Sequence, residues 1–157
     1  MTEPRWLDPQ EQRAWRGFLR MQGELGARLG RQLQADSELS AADFEVLVAL
    51  TDVPDARLRV VELARAIQWE QSRLSHHVAR MARRGLVVRE ECEDDRRGAF
   101  VALTPAGRAA IEAAAPGHVE TVRRLFFDAL TGEQVAALAA ISDRVLARLD
   151  EQDNPTC

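Results

Sequence analysis

Between Leu86 and Leu103 the apolar residues of this chain leave a helical spacing for a strand-like one, and afterwards return to it. Leu86-Val87-Val88-Arg89-Glu90 and Ala99-Phe100-Val101-Ala102-Leu103 have the composition of strands, and the polar Glu93-Asp94-Asp95-Arg96-Arg97-Gly98 between them is a turn. Elsewhere apolar residues recur every three or four positions, the period of amphipathic helices. One hairpin set among helices makes the fold mainly α with a small β-wing, an α+β chain.

The helices are placed by their ends. Over residues 9 to about 34, Trp15, Phe18, Leu19, Leu25, Leu29 and Leu33 keep a helical stripe. Gly23, Gly26 and Gly30 each weaken that helix by roughly 1 kcal/mol relative to alanine, so close packing on a partner would explain it, as would a place in the core. Ser40, with Asp43 three residues on, opens a second helix through Phe44, Val46, Leu47, Val48 and Leu50, stopped by Asp52-Val53-Pro54-Asp55. Leu58-Arg59-Val60 is a short strand. Residues 61–67 form a third helix with Val61, Leu63, Ala64 and Ile67 inward, and Trp69-Glu70-Gln71 is a tight turn into a fourth helix ending at Gly85. Thr104-Pro105 opens the next helix, which Pro116-Gly117 should kink or interrupt. Thr131 and Gln134 have capping-box spacing for a last helix bearing Val135, Leu138, Ile141, Val145 and Leu149 on one side. Residues 151–157 are expected to be a loose tail. This order holds a winged helix-turn-helix over about 40–104, with helices over about 10–36 and 105–150 that it does not need, and no linker divides the single domain 1–157.

In the fourth helix Leu74, Val78 and Met81 mark the buried stripe. Away from it lie Gln71, Ser72, Arg73, His76, His77, Arg80, Arg83 and Arg84, with Ser75 at the margin. Residues 71–89 carry Arg73, Arg80, Arg83, Arg84 and Arg89 and no acid, although the formal net charge of the whole chain is −4. A duplex responds to the local face and not to the sum. Arginine can donate twice to guanine, and small hydroxyls reach a base or a phosphate without steric cost. At the hairpin tip, Asp95 and Arg97 are two apart and share a side if strand geometry holds, so the carboxylate can fix the guanidinium for a narrow minor groove. The bland alternatives are a solvated helix face and an exposed turn ion pair worth about 0–1 kcal/mol.

Other functions find less support. His76 and His77 diverge on a helix, His118 is distant, and no H-E-x-x-H, G-x-S-x-G or phosphate-binding glycine loop is present. No enzyme, metal site or cofactor is therefore expected. Cys92 and Cys157 make neither a disulfide framework nor a zinc site. There is no apolar run of membrane-spanning length, and Met1-Thr2-Glu3-Pro4-Arg5-Trp6 lacks the core of a signal peptide, so a cytoplasmic protein is expected. A module that binds a protein partner or RNA through the same surface is the rival; a protein partner would favour an apolar patch and show a flat salt dependence, whereas duplex binding weakens steeply as salt rises.

Gly85-Leu86-Val87-Val88-Arg89, Asp95-Arg96-Arg97 and Leu103-Thr104-Pro105-Ala106-Gly107 together resemble the MarR family of bacterial transcriptional regulators. Trp69-Glu70-Gln71-Ser72-Arg73-Leu74-Ser75-His76-His77 is similar to the recognition-helix entry of actinobacterial members. The resemblance implies a homodimer built by the terminal helices, with two winged lobes on a palindromic DNA operator. It implies that Gln71, Ser72, Arg73, Ser75, His76, His77, Arg80 and Arg84 face the major groove. Arg97 would enter the minor groove, buttressed by Asp95 and accompanied by Arg96. It further implies a repressor released by a small aromatic or phenolic effector bound between the dimerisation and DNA-binding regions. The peroxide-sensing branch uses a cysteine near the N-terminus, and residues 1–91 have none.

Overall fold

The computed structural model describes residues 3–91 and 98–153. Its elements are α1 (Pro9–Ser37), α2 (Ala41–Thr51), β1 (Arg57–Arg59), α3 (Val60–Ala66), α4 (Gln71–Arg83), β2 (Val87–Glu91), β3 (Ala99–Leu103), α5 (Pro105–Leu125), a 3-10 turn (Phe127–Ala129) and α6 (Gly132–Asp153). The chain forms two compact units, one up to His118 and one from Val119 onward.

Local chemistry sets the helix ends. Ser40 and Asp43 form the expected reciprocal cap of α2: the Asp43 N–H donates to Ser40 Oγ at 3.0 Å and the Ser40 N–H to Asp43 Oδ2 at 2.9 Å. Thr131 and Gln134 do the same for α6. A third such box at Asp8 and Glu11, with Pro9 at the first helical position, starts α1. α4 closes at Gly85, whose φ of 76° is the left-handed conformation that glycine adopts most easily.

The first unit is organised around a three-stranded antiparallel sheet in the order β1-β3-β2, with Leu58 opposite Val101 and Arg89 opposite Val101 from the other side. Val46, Leu47, Leu50, Leu63, Leu74, Met81 and Val101 are fully shielded from solvent and join α2, α3, α4 and the sheet in one core. Each such side chain contributes about 1.5–3 kcal/mol on burial. The junction of α4, β2 and α5 is tied at Thr104. Its hydroxyl donates to the Gly85 carbonyl at 2.6 Å, lies 3.0 Å from the Leu86 carbonyl, and accepts the Gly107 N–H at 2.9 Å. A Cβ on Gly107 would run into the Leu86 carbonyl oxygen and the Leu103 side chain. The G-L-V and L-T-x-x-G runs are thus two halves of one close backbone contact.

Three expectations need correction. Val61 points outward and is 40% exposed. It stands two residues, or about 200° of helix, from the buried Leu63, so one face cannot hold both. α5 runs through Pro116-Gly117 without interruption. Proline removes one N–H, and the buried Ile111 and Ala114 hold the preceding turns in place. α6 continues to Asp153, into the stretch expected to be a tail.

Within one copy of the chain two apolar faces are uncovered. On α1, Trp15, Phe18, Leu19 and Met21 are exposed, and nothing comes within 4 Å of a Cβ built on Gly17, Gly23 or Gly26. In the second unit α6 buries no residue, and Ile141, Val145, Leu146 and Leu149 are all at least half exposed.

Candidate nucleic-acid interface

α4 divides into two faces. Leu74, Val78 and Met81 pack into the core, while Gln71, Ser72, Arg73, His76, Arg80 and Arg83 are exposed and Ser75 is half-buried. The Arg73 guanidinium lies 3.8 Å from the centroid of the Trp69 ring, the last aromatic before the helix. Stacking of this kind restrains a long flexible cation. Gln68, in the turn between α3 and α4, takes φ 58°, and the Trp69 N–H then reaches the Ala64 carbonyl at 2.9 Å.

Two of the expected exposed residues are held from behind. His77 is only 8% exposed and belongs to the inward face. It sits three residues after Leu74 and four before Met81, so helical geometry alone places it on the apolar stripe. Its Nε2 is 2.9 Å from Asp43 Oδ1, close enough for an ion pair but without the alignment of a hydrogen bond. Its Nδ1 is 3.0 Å from Arg80 Nη2, and its ring stands edge-on to Trp69. Arg84 ends α4 and turns back to α2. It donates to Asp43 Oδ2 at 2.6 Å and to the Glu38 carbonyl at 2.9 Å, so its guanidinium is a tie between helices.

Asp43 is the hub of this arrangement, and sequence reasoning gave it only a capping role. It is buried, yet its carboxylate faces Ser40, His77 and Arg84. Burial alone would raise its pKa, but hydrogen bonds from Arg84 and Ser40 outweigh that and hold it below the usual aspartate value. Burial lowers the pKa of His77, the nearby Arg80 and Arg73 charges lower it further, and Asp43 opposes them. The signal for the hub is an acid and a histidine that both fall on apolar stripes.

On the outer face of the sheet, Arg57 and Arg59 lie over the Phe100 ring at 3.9 and 4.9 Å, and Arg57 pairs with Glu90 at 2.8 Å. The tip residues Asp95, Arg96 and Arg97, with Cys92, lie outside the described residues. Among the described residues no cluster of three His, Cys, Asp or Glu side chains suits a metal ion, and no single helix is long and apolar enough to cross a membrane.

This geometry has close counterparts. A family model described as "MarR family" matches residues 37–98. Sco3205, a MarR family transcriptional regulator from Streptomyces coelicolor solved in complex with DNA, is 42% identical, with a TM-score of 0.88 over 99% of this chain and 95% of that one. The chain belongs to the MarR family. A second Streptomyces coelicolor member, AbsC, is 39% identical, with a TM-score of 0.87 over 94% of this chain and 99% of that one. The transcriptional repressor YetL of Bacillus subtilis is 32% identical over 54% of this chain, a match spanning 50% of YetL. MarR proteins are transcriptional regulators, which sets this chain apart from the enzymes.

The MarR-type lobe also holds a cavity of about 440 Å³ lined by Leu29, Leu33, Phe44, Val48, Ile67 and His118, among others. The Phe44 and His118 rings are 4.4 Å apart at their centroids. His118 Nδ1 is buried without a hydrogen-bond partner among the described residues, and burial lowers the pKa of this ring.

Proposed function

We propose that this cytoplasmic protein is a homodimeric repressor that binds a palindromic operator in double-stranded DNA and is released by a small aromatic or phenolic effector. The observation that carries the DNA reading is the outward face of α4. It offers Gln71, Ser72, Arg73, Ser75, His76 and Arg80, with no acid in the helix, on a scaffold tied down from within by Leu74, Val78 and Met81. Donors fixed on a rigid helix suit base edges and phosphates in a major groove. By family likeness Arg97 enters the minor groove beside Asp95, with Arg96 adjacent.

The uncovered apolar faces of α1 and α6 support the dimer, because exposed rows of Trp, Phe, Leu, Ile and Val mark association surfaces. Two lobes then meet half-sites about 10 base pairs apart. The cavity supports the effector. An occupant pressing on Phe44 acts next to Asp43, the residue that ties α2 to α4.

The deciding experiment selects an operator from a random duplex pool and titrates it against the purified protein at rising salt. Binding should weaken by about 10³-fold or more between roughly 50 and 200 mM salt, as expected for six or more neutralised phosphates. A flat dependence overturns the duplex reading. Arg97→Ala should weaken operator binding in a gel shift and leave the dimer intact.

A further inference from the structure

We propose that His77 is a positioning residue that makes operator selectivity depend on pH: its neutral ring holds the Arg80 guanidinium in place, and protonation of the ring releases it. The proposal rests on α4 facing duplex DNA.

The argument starts from donors and acceptors. Arg80 Nη2 is 3.0 Å from His77 Nδ1, one turn away on the same helix. A guanidinium can only donate, so Nδ1 must be the nitrogen without a proton. The ring proton then sits on Nε2, which faces Asp43 Oδ1 at 2.9 Å. Asp43 is not free to turn, because its other oxygen accepts from Arg84 and from the Ser40 N–H. The Arg80 hydrogen bond therefore selects one tautomer of a nearly inaccessible ring, with the Asp43 carboxylate on the side of its proton.

The charged groups around the ring are Asp43 from α2 and Arg73 and Arg80 from α4, with Arg84 reaching it through Asp43; Trp69, from the preceding turn, brings no charge. Burial and two cations outweigh the single carboxylate and keep the ring neutral at pH 7. Adding a proton turns Nδ1 into a donor aimed at another donor, and places two cations side by side. The Arg80 hydrogen bond is lost while the Asp43 contact tightens. α4 gains a charge and loses a fixed arm. Acid should therefore reduce discrimination between operator and unrelated duplex without reducing non-specific attraction.

The test measures the ratio of affinities for operator and for a scrambled duplex of equal length. It uses the full-length protein from pH 8 to 5.5 at constant ionic strength, for wild type, His77→Gln and Arg80→Ala. Glutamine offers Arg80 an acceptor that does not titrate, and His76 and His118 are retained in all three proteins. In the wild type the ratio should fall about tenfold, the worth of one good base contact, with its midpoint below the ordinary imidazole value. His77→Gln should keep a high ratio throughout, and Arg80→Ala a low and flat one. A flat wild-type ratio, or an equal fall in His77→Gln, overturns the proposal and leaves the duplex reading standing. Failure of the wild type to prefer its operator at pH 8 overturns the duplex reading itself. Should His77→Gln not fold, nitrogen NMR of the wild-type ring decides: an Nε2–H tautomer at pH 8 supports the proposal, and an Nδ1–H tautomer ends it.

Discussion

α4 and α6 are both amphipathic helices with an apolar residue every three or four positions, yet they meet opposite fates. The 13 residues of α4 bury Leu74, His77, Val78 and Met81, whereas the 22 residues of α6 bury none. Periodicity announces that a face needs cover; it does not say what provides it. In α4 the cover is the chain's own core. In α6 it must come from elsewhere, and a second copy is the occupant proposed here.

A charge placed on each stripe should separate the two cases most widely. Val78→Asp puts a carboxylate where only 1% of the residue meets solvent, and should leave the lobe unfolded by circular dichroism. Ile141→Asp, at a site 61% exposed, should keep its helix content and yield monomers in sedimentation. Operator affinity should then drop at least 100-fold, because one lobe alone loses half of the phosphate and base contacts. An Ile141→Asp protein that remains dimeric would break the comparison at its root.

Glycines sharpen the same contrast at smaller cost. Gly107→Ala forces a methyl against the Leu86 backbone, which cannot move without dragging β2, and should lower stability by ~3 kcal/mol in urea unfolding. Gly132→Ala, at the start of α6 with open space around it, should stay within about 0.5 kcal/mol of wild type. Equal losses at both positions would mean that the junction at Thr104 is looser than it looks.

What sequence made legible follows this division. Caps depend on residues three apart, so Ser40 with Asp43 and Thr131 with Gln134 were readable, as were Gly85, Thr104 and the hairpin. The outward residues of α4 were readable from its period. The pairing of Asp43 with His77 and Arg84 was not, because those partners lie 34 and 41 residues away and only the folded lobe brings them together. The chemistry of His77 points to the wet face, although its spacing places it on the dry one. Arg84, expected among the DNA contacts by its charge, also bonds Asp43 and the Glu38 carbonyl while its side chain stays 44% exposed. Pro116 does not interrupt α5, although it lacks the N–H that a helix interior uses.

Asp43→Asn tests the hub at the next smaller scale. Losing one partner of a buried pair costs about 3–5 kcal/mol, but the Arg84 side chain is 44% exposed and water compensates it in part. A loss of ~1–2 kcal/mol at pH 7 is expected. Because folding holds the Asp43 carboxyl below its ordinary value, its contribution is present above about pH 4 and fades as pH falls through the folded value. The gap between wild type and Asp43→Asn should therefore close toward pH 3 in denaturant titrations. A gap of constant size would assign the loss to hydrogen-bond geometry and not to charge.

The smallest effect belongs to the histidines. Folding lowers the pKa of both His77 and His118, with burial the first cause in each. Below about pH 6.5 the unfolded chain therefore binds more protons than the folded one, and stability falls as the solution is acidified. The contribution is complete above that pH and is lost as pH drops through the folded values. Urea unfolding followed from pH 7.5 to 5.5 should show this slope, and His77→Gln should flatten part of it while His118→Gln flattens the remainder. An acid slope that survives both inward substitutions would place the proton uptake outside the lobe and remove the buried rings as its source.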